Sequence, residues 1–368
     1  MKKICHITTV HPRNDTRIFL KECMSLTKLY KVHLIVADGL GDEVKNNVHI
    51  YDIGLRQKSR LKRARIDSRK AFKKALKLNC ELYHFHDPEL ITIGVKLKNR
   101  NYKVIYDIHE FTGKQILIKK WIPKILRKFI SLIYSVYEKK YSKKMDALLV
   151  PQPIMFDYFK NINNCTVVVE NFVITNHKKI PLKTKKFDSK IIFHPGGLTN
   201  ERGVFNMINA MSLIDDDSLL ILAGKINKDM LMKCEKIEGW SKVRYEGVLP
   251  HEEINNIYKK STLGLILYNN IGQYHLSYSI KLFEYMLNGI PVIMPNFGEW
   301  IEFNNENNCG INVDPTNKKD VASAINYLNI NINIKKKLGE NGRNAVFKKY
   351  NWGISEKKLL DIYKEILK

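Results

Sequence analysis

The chain is short of several things, and each shortage excludes a class of protein. Cysteine is scarce: six in 368 residues, at Cys5, Cys23, Cys80, Cys165, Cys234 and Cys309, with no C-x-x-C pair. A disulfide scaffold is excluded, no zinc or redox motif is readable, and the expectation is reduced thiols in a cytosolic protein. Acidic residues are also few, 37 Asp and Glu against 62 Lys and Arg, for a net charge of +25. No apolar run reaches the roughly 18 residues that a membrane-spanning helix needs. The stretch from Ile4 to Val10 is short, holds His6, Thr8 and Thr9, and runs into His-Pro-Arg-Asn-Asp. That is unlike a signal-peptide cleavage site, so the stretch reads as a first strand. Finally, Val10-His11-Pro12 follows that strand where a dinucleotide-binding turn would need glycines.

What is there is ordinary in composition. Hydrophobic residues are 44% and charged residues 27%, which excludes disorder as the main state, and the length suits two domains. The charge is unevenly spread. Residues 1–172 hold 34 basic and 16 acidic side chains, and residues 173–368 hold 28 and 21. Two stretches, Arg56 to Ala75 and Lys114 to Lys144, each carry ten basic residues and one acidic residue. An anionic partner for the first half is one reading, and plain solvation by lysine is the other.

Short β-rich runs alternate with helical patterns. Strands are expected at Ile4–Thr9, Val32–Ala37, Val48–Ile53, Leu82–His86, Lys103–Ile108, Ala147–Val150 and Thr166–Val169. Helices are expected at Thr16–Leu29, with Asp15 as N-cap, and at Arg60–Leu78, Glu89–Leu97, Pro123–Lys143 and Ile154–Phe159. Residues 173–188 are polar and basic, hold a proline, and read as a linker. The rhythm then restarts with strands at Lys190–His194, Leu219–Ala223, Val243–Tyr245, Leu263–Leu267 and Pro291–Met294. Helices at Val204–Ile214, Lys228–Lys236, Glu252–Lys259 and Ile280–Leu287 lie between them, and the chain is helical from Lys318 onward. The expectation is an α/β chain: an N-terminal domain over 1–172, a linker, a second domain over 189–345, and a C-terminal helix over 346–368 that packs back on the first. Two doubly wound sheets of this kind bind ligands at their carboxyl ends.

Four groups of residues could carry chemistry. Gly196-Gly197-Leu-Thr-Asn-Glu-Arg202-Gly203 follows a strand and opens a helix; as a diphosphate cradle it would use close backbone approach, helix N–H groups and Arg202. A plain turn with a surface arginine explains it equally. Lys281-Leu-Phe-Glu284 lies on a helix that Gly289 and Pro291 lead into a strand, and a carboxylate placed there can accept from a ribose diol. His86-Asp87-Pro-Glu and Asp107-Ile-His109-Glu110 each end a strand, where a histidine can donate to a sugar hydroxyl or a departing phosphate. His11-Pro-Arg-Asn-Asp15-Thr-Arg17 suits an acceptor with hydroxyls or an anionic group. In the long helix, Ile122, Ile125, Leu126, Phe129, Ile130, Ile133, Val136 and Tyr137 make an apolar face, with Lys120, Lys124, Arg127 and Lys128 off it. Such a face is expected to pack on a sheet; a basic amphipathic surface on anionic lipid is the second reading.

Taken in order, these phrases resemble the retaining glycosyltransferases of family 4. They are Phe-His-Asp-Pro-Glu-Leu (85–90), Val-Ile-Tyr-Asp-Ile-His-Glu (104–110), Gly-Gly-Leu…Arg-Gly (196–203), Gly-Val-Leu-Pro (247–250), Lys-Leu-Phe-Glu-Tyr-Met (281–286), Gly-Ile-Pro-Val-Ile (289–293) and Asn-Asn-Cys-Gly-Ile-Asn-Val-Asp-Pro (307–315). The resemblance implies a GT-B architecture, two doubly wound Rossmann-like domains facing a cleft. It implies that Glu284 holds the donor ribose and that Arg202, with Gly196, Gly197 and Lys281, holds the donor diphosphate. His109 would lie near the transferred sugar, and 246–249 would meet the nucleobase. Asp15, Arg17, His86 and Glu110 are the expected acceptor residues. The sequence differs from the family in Leu276, where a glutamate is common, and in Gly197, where an arginine is common.

The expected activity is transfer of a sugar from a nucleotide-sugar to a glycan acceptor, lipid-linked, in the synthesis of capsule, O-antigen or exopolysaccharide. The catalytic residues would be His109 and Arg202, with no cofactor, no metal and no nucleic acid, at the inner face of the cell membrane. A nucleotide-sugar 2-epimerase of the same architecture and a basic nucleic-acid-binding protein are the alternatives.

Overall fold

Runs such as Ala-Leu-Leu-Val (147–150) and Leu-Leu-Ile-Leu-Ala (219–223) are apolar on both faces, the pattern of a parallel strand covered on each side. A computed structural model describes residues 1–119, 121–175, 187–214, 216–272, 274–276 and 278–368 and places those runs inside two sheets. Lys120 and residues 176–186 of the expected linker lie outside the described residues. The chain divides into two units, Met1–Ile174 with Trp352–Lys368, and Thr175–Asn351. The second unit runs on to Asn351, past the boundary expected at 345, because the helix Ile332–Lys348 is continuous.

The first unit is built on β1 (Lys3–Ile7), β2 (Lys31–Val36), β3 (Glu43–Lys45), β4 (Val48–Asp52), β5 (Leu82–Phe85), β6 (Lys103–Asp107), β7 (Ala147–Val150) and β8 (Thr166–Val168). Their order is β3-β4-β2-β1-β5-β6-β7-β8, parallel except for the β3–β4 hairpin. The hairpin turns on Asn46 and Asn47, both left-handed (φ 50° and 63°), the turn that suits strand twist. Cores form on both faces of the sheet. One face holds the helix Ser68–Leu78, the helix Ile91–Lys98 and the inner edge of Lys124–Ser142. The other holds the turns Ile18–Cys23 and the terminal helix Trp352–Ile366, whose Leu359, Ile362 and Tyr363 pack with Ile4, Val32 and Leu82. Trp352 Nε1 donates to Ser25 Oγ at 3.0 Å and ties that helix down.

The second unit carries β9 (Ile191–Pro195), β10 (Leu219–Ala223), β11 (Val243–Tyr245), β12 (Leu263–Leu265), β13 (Val292–Pro295) and β14 (Gly310–Val313), in the order β11-β10-β9-β12-β13-β14 and all parallel. Strand order reverses beside β1 in the first sheet and beside β9 in the second. Those switch points leave a crevice at the strands' carboxyl ends.

The long helix departs from expectation. It spans Lys124–Ser142, and of the apolar stripe predicted to pack on the sheet only Ile122, just before the helix, and Tyr137 do so, while Ile125, Leu126, Phe129, Ile130, Ile133 and Val136 face outward. Its inner side includes Ser131, Tyr134, Ser135, Glu138 and Ser142, with Tyr137 and Tyr141 against the core. Ser131 Oγ donates to the Gly113 carbonyl at 2.8 Å, and Tyr134 and Tyr106 donate to Glu138 Oε1 at 2.8 and 3.3 Å. Periodicity shows that a stripe exists but not which side of the helix meets the sheet.

Candidate active site

In the second unit, β9 delivers Pro195 into Gly196-Gly197. Gly196 is left-handed (φ +102°), and a Cβ there would lie 2.8 Å from Lys281 Cε and 3.2 Å from its Nζ. A Cβ on Gly197 would lie 3.2 Å from Arg202 Nη1. The two glycines therefore admit two cations against the backbone. Lys281 enters from the first turn of the helix Ile280–Leu287, which Tyr285 anchors by donating to the Phe193 carbonyl at 2.7 Å. Lys281 is buried, donates to Tyr268 Oη at 2.9 Å, and has no carboxylate partner among the described residues. Burial alone would raise the Tyr268 hydroxyl, yet Lys281 and Arg202 outweigh it and hold it below its usual range. Both cations thus act on one small volume. A buried cation such as Lys281 is costly without a negative charge nearby, so this volume suits an anion.

One turn along, Glu284 Oε2 accepts from Tyr258 at 2.7 Å. Burial, then Glu284, pushes the Tyr258 hydroxyl well up, so it stays the donor and orients the carboxylate. The loop amides have less to offer than the sequence suggested. The N–H groups of Gly196, Leu198, Arg202, Gly203 and Val204 already bond to Ala223, Lys225, Thr199, Asn200 and Thr199 carbonyls. Side-chain cations carry the site instead. Gly247, in the stretch 246–249, accepts from Gly224 N at 2.6 Å and so sits beside the same strand ends. Tyr274 and His275 are held by the helix Glu299–Asn307, with Trp300 Nε1 donating to the Tyr274 carbonyl at 2.8 Å.

In the first unit, the period of two and the strand register set the site. His6 pairs with His84 across β1 and β5, and His86 follows two residues on. Tyr106 pairs with Phe85, which puts Asp107 beside His86. These polar groups share the face covered by Glu22 and Tyr363. Asp107 is fixed by Arg17, whose Nε and Nη2 donate to its two oxygens at 2.9 and 2.8 Å. Burial would raise Asp107, but Arg17 and His109 overcome it and keep the carboxylate ionised. Burial and the charge on Asp107 push Glu22 well up, so Glu22 carries a proton although Arg17 Nε lies 3.0 Å away.

An ionised Asp107 fixes the direction of a hydrogen-bond chain. His86 Nδ1 donates to Asp107 Oδ2 at 3.1 Å, so His86 Nε2 accepts from His6 Nδ1 at 3.0 Å. His6 Nε2 then accepts from Tyr363 Oη at 3.1 Å, and Tyr363 accepts from His84 Nδ1 at 2.7 Å. His109 Nε2 donates to the same Asp107 oxygen at 2.8 Å, which leaves Nδ1 as the acceptor of neutral His109.

The structure revises the expected acceptor set. Arg17 is spent on Asp107, Glu22 and the Val169 carbonyl, and buried, so it is a strut. Asp15 caps the turns that follow it, accepting from Arg17 N and Ile18 N at 2.8 and 3.0 Å. His86 is buried with both nitrogens engaged, so it positions its neighbours. His109 and Glu110 do reach open space. With His11, Arg60, Arg63 and Lys119 they line a cavity of about 380 Å³ within the first unit. Arg60 and Arg63 pair with Glu89 at 3.5 and 2.7 Å. Sequence reasoning missed these arginines and the core partners His6, His84, Glu22 and Tyr363. The alternating histidines of an otherwise apolar strand pair were the available signal.

The sequence offered no metal cluster, but among the described residues folding gathers two groups of ligand atoms within 4.8 Å: His6, Glu22, His84 and His86, and His86, Asp107 and His109. The hydrogen-bond chain accounts for their closeness, since the ring nitrogens bond one another, Tyr363 and Asp107.

This cluster sets a pH dependence. Burial holds His6 and His84 well below their usual range and His86 down at about 4, so all three stay neutral in the fold. Unfolded histidines take protons below about pH 6.5, so this stability is present above that pH and lost as pH falls. Glu22 works in reverse, because the unfolded state ionises above about pH 4.3 and the fold does not. His33, pushed to about 4, and Glu138, pushed up to about 7, cancel in this window. The net of two protons predicts a loss of about 3 kcal/mol per pH unit between about pH 6 and 5. Urea unfolding of the first unit at those pH values checks it; a flat profile would contradict the buried neutral histidines.

Comparison with known proteins bears on the second unit first. The family model for glycosyl transferases group 1 matches residues 175–345. These residues are a glycosyl transferases group 1 domain. An uncharacterized glycosyltransferase of Methanocaldococcus jannaschii is 26% identical over 183 residues, 48% of this chain and 45% of that protein, so the chain spans under half the length of that relative. Solved structures match across the whole chain. Sucrose-phosphate synthase from Thermosynechococcus elongatus superposes with a TM-score of 0.79 at 16% identity, covering 100% of this chain and 99% of that one. HepE of Anabaena, solved with UDP and glucose, gives 0.74 at 12% identity, covering 99% and 100%. The likeness shows the fold, which is GT-B, with two parallel-sheet α/β units. The Gly196–Gly203 loop, Lys281 and Glu284 all fall inside the group 1 domain.

Proposed function

We propose that the protein is a retaining glycosyltransferase that moves a hexosyl unit from a nucleotide-sugar to a hydroxyl of a glycan acceptor. The observation that carries this is the buried Lys281 converging with Arg202 on the Gly196–Gly197 loop, without a carboxylate partner for Lys281 among the described residues. A diphosphate supplies the missing negative charge. Glu284 accepts from the ribose hydroxyls, and a structural neighbour solved with UDP favours a nucleoside diphosphate donor. Two fixed cations do at the leaving group what a divalent ion would do, so the reading is metal-independent. His109, held by Asp107, orients the sugar, and the first unit's cavity takes the acceptor. The acceptor in this reading is lipid-linked, in surface polysaccharide synthesis at the inner face of a bacterial membrane, in keeping with the basic first half.

The test is product analysis. Nucleotide-sugars incubated with lipid-linked acceptors should yield a glycoside whose anomeric configuration, read by NMR, matches the donor. An inverted product overturns retention, and conversion of donor without acceptor would make the protein an epimerase. The ribose role has its own prediction. Glu284→Ala should weaken donor binding by about 1–3 kcal/mol, the scale for hydrogen bonds to a charged group, with the fold retained and a modest fall in melting temperature as Tyr258 loses its acceptor. Unaltered affinity by calorimetry would remove Glu284 from the site.

A further inference from the structure

We infer that the outward face of the helix Lys124–Ser142 is a docking surface for an anionic lipid bilayer, with the helix lying in the plane of the interface. The inference deepens the membrane part of the reading above, and its test needs no sugar transfer. The helix is built inside out. Its polar side is turned inward, where Ser131 bonds Gly113 and Glu138 bonds Tyr134 and Tyr106. Its apolar side is turned to solvent: Ile125 is 91% exposed, Phe129 62%, Leu132 64% and Val136 60%. Spacings of four, three and four put these side chains in one stripe. Ile133 and Leu126 widen the stripe, and Trp121 stands exposed just before the helix. Water gives such a stripe no stabilisation, and a soluble surface rarely leaves so many large apolar groups contiguous.

The charge around the stripe names the occupant. Lys124 and Lys128 stand exposed at its start, and Lys139, Lys140, Lys143 and Lys144 at its end. The one acidic residue between Lys114 and Lys144 is Glu138, which is buried, so the exposed surface of this segment carries positive charge alone. A second copy of the chain would bring lysines against lysines on a molecule of net charge +25. An anionic bilayer answers both features: acyl chains take the apolar stripe while the lysine stems extend to the headgroups. No helix among the described residues is long and apolar enough to cross a membrane, which fits a helix that lies on one. The same side of the sheet adds the second basic segment, since the helices Ser68–Leu78 and Lys124–Ser142 both pack against Ile91–Lys98.

The experiment sediments the full chain with vesicles of phosphatidylglycerol and phosphatidylethanolamine, or of phosphatidylcholine alone. Binding is expected with the anionic vesicles only, fading by about half-molar salt. The triple variant F129S/L132S/V136S should lose at least tenfold in partitioning at unchanged melting temperature, because its side chains touch solvent in the free protein. Trp121 emission in the unmodified stripe should shift to the blue on binding, and the shift should vanish in Trp121→Phe. Equal binding to phosphatidylcholine, no binding to anionic vesicles, wild-type binding by the triple variant, or an unshifted Trp121 would each overturn the proposal. So would a dimer in analytical ultracentrifugation that the triple variant dissolves.

Discussion

Alanine at Arg202 or at Lys281 is expected to lower kcat/KM by about 100- to 1000-fold, with most of the loss in kcat. As the sugar leaves, negative charge grows on the diphosphate oxygen, so a cation held beside it gains more in the transition state than in the bound ground state. The loop geometry suits that proposed role. Gly196 and Gly197 remove the side chains that would hold the cations away, and Tyr268 fixes the Lys281 ammonium at 2.9 Å. Both cations are set before substrate arrives, so little reorganisation is needed when charge develops. A loss of this size corresponds to about 3–4 kcal/mol of barrier. Steady-state kinetics decide the matter: an unchanged kcat with a raised KM would make the two residues binding groups only. Lys281→Arg should recover little, since a wider head cannot occupy the space left by the Gly196 hydrogen.

The second large effect belongs to the core of the first unit. Asp107→Asn should destabilise the unit by about 3–5 kcal/mol, the cost of leaving a buried charge without its partner. Arg17 is the charge in question, buried and held by both Asp107 oxygens. Glu22→Gln offers the control. Glu22 touches the same guanidinium but already carries a proton, so an amide replaces a neutral group and should cost no more than about 1 kcal/mol. Denaturant midpoints of the two variants separate the cases. The reverse order, with Glu22→Gln the costlier change, would mean that the proton sits on Asp107 and that Glu22 carries the charge facing Arg17.

The α/β alternation and both sheets' central strands were legible in the sequence because parallel strands are apolar runs and their helices have a clear period. What escaped was short or exposed: β3 lies at a sheet edge with all three residues exposed, and β14 is four residues long. The Asn46-Asn47 turn was a usable hairpin signal for the former. Residues of the proposed donor site stand in two short phrases, Gly196 to Arg202 and Lys281 to Glu284, and the fold brings Lys281 and Arg202 to the same glycines. The acceptor side was harder. Arg17 and Asp107 are 90 positions apart and look like surface charges until folding buries them together. Tyr363 reaches His6 and His84 from the last helix, a contact no local pattern could announce. The long helix shows the complementary limit, because its stripe was visible and its direction was not.

In the proposed function, the group 1 domain binds a nucleotide-sugar diphosphate on Arg202, Lys281 and Glu284. Calorimetric titration of a panel of nucleotide-sugars into the wild type, Arg202→Ala and Glu284→Ala tests it most directly. Saturable binding of one nucleotide class to the wild type is expected, weakened in both variants while both remain folded. Failure of every nucleotide-sugar to bind, or wild-type affinity in both variants, would contradict it.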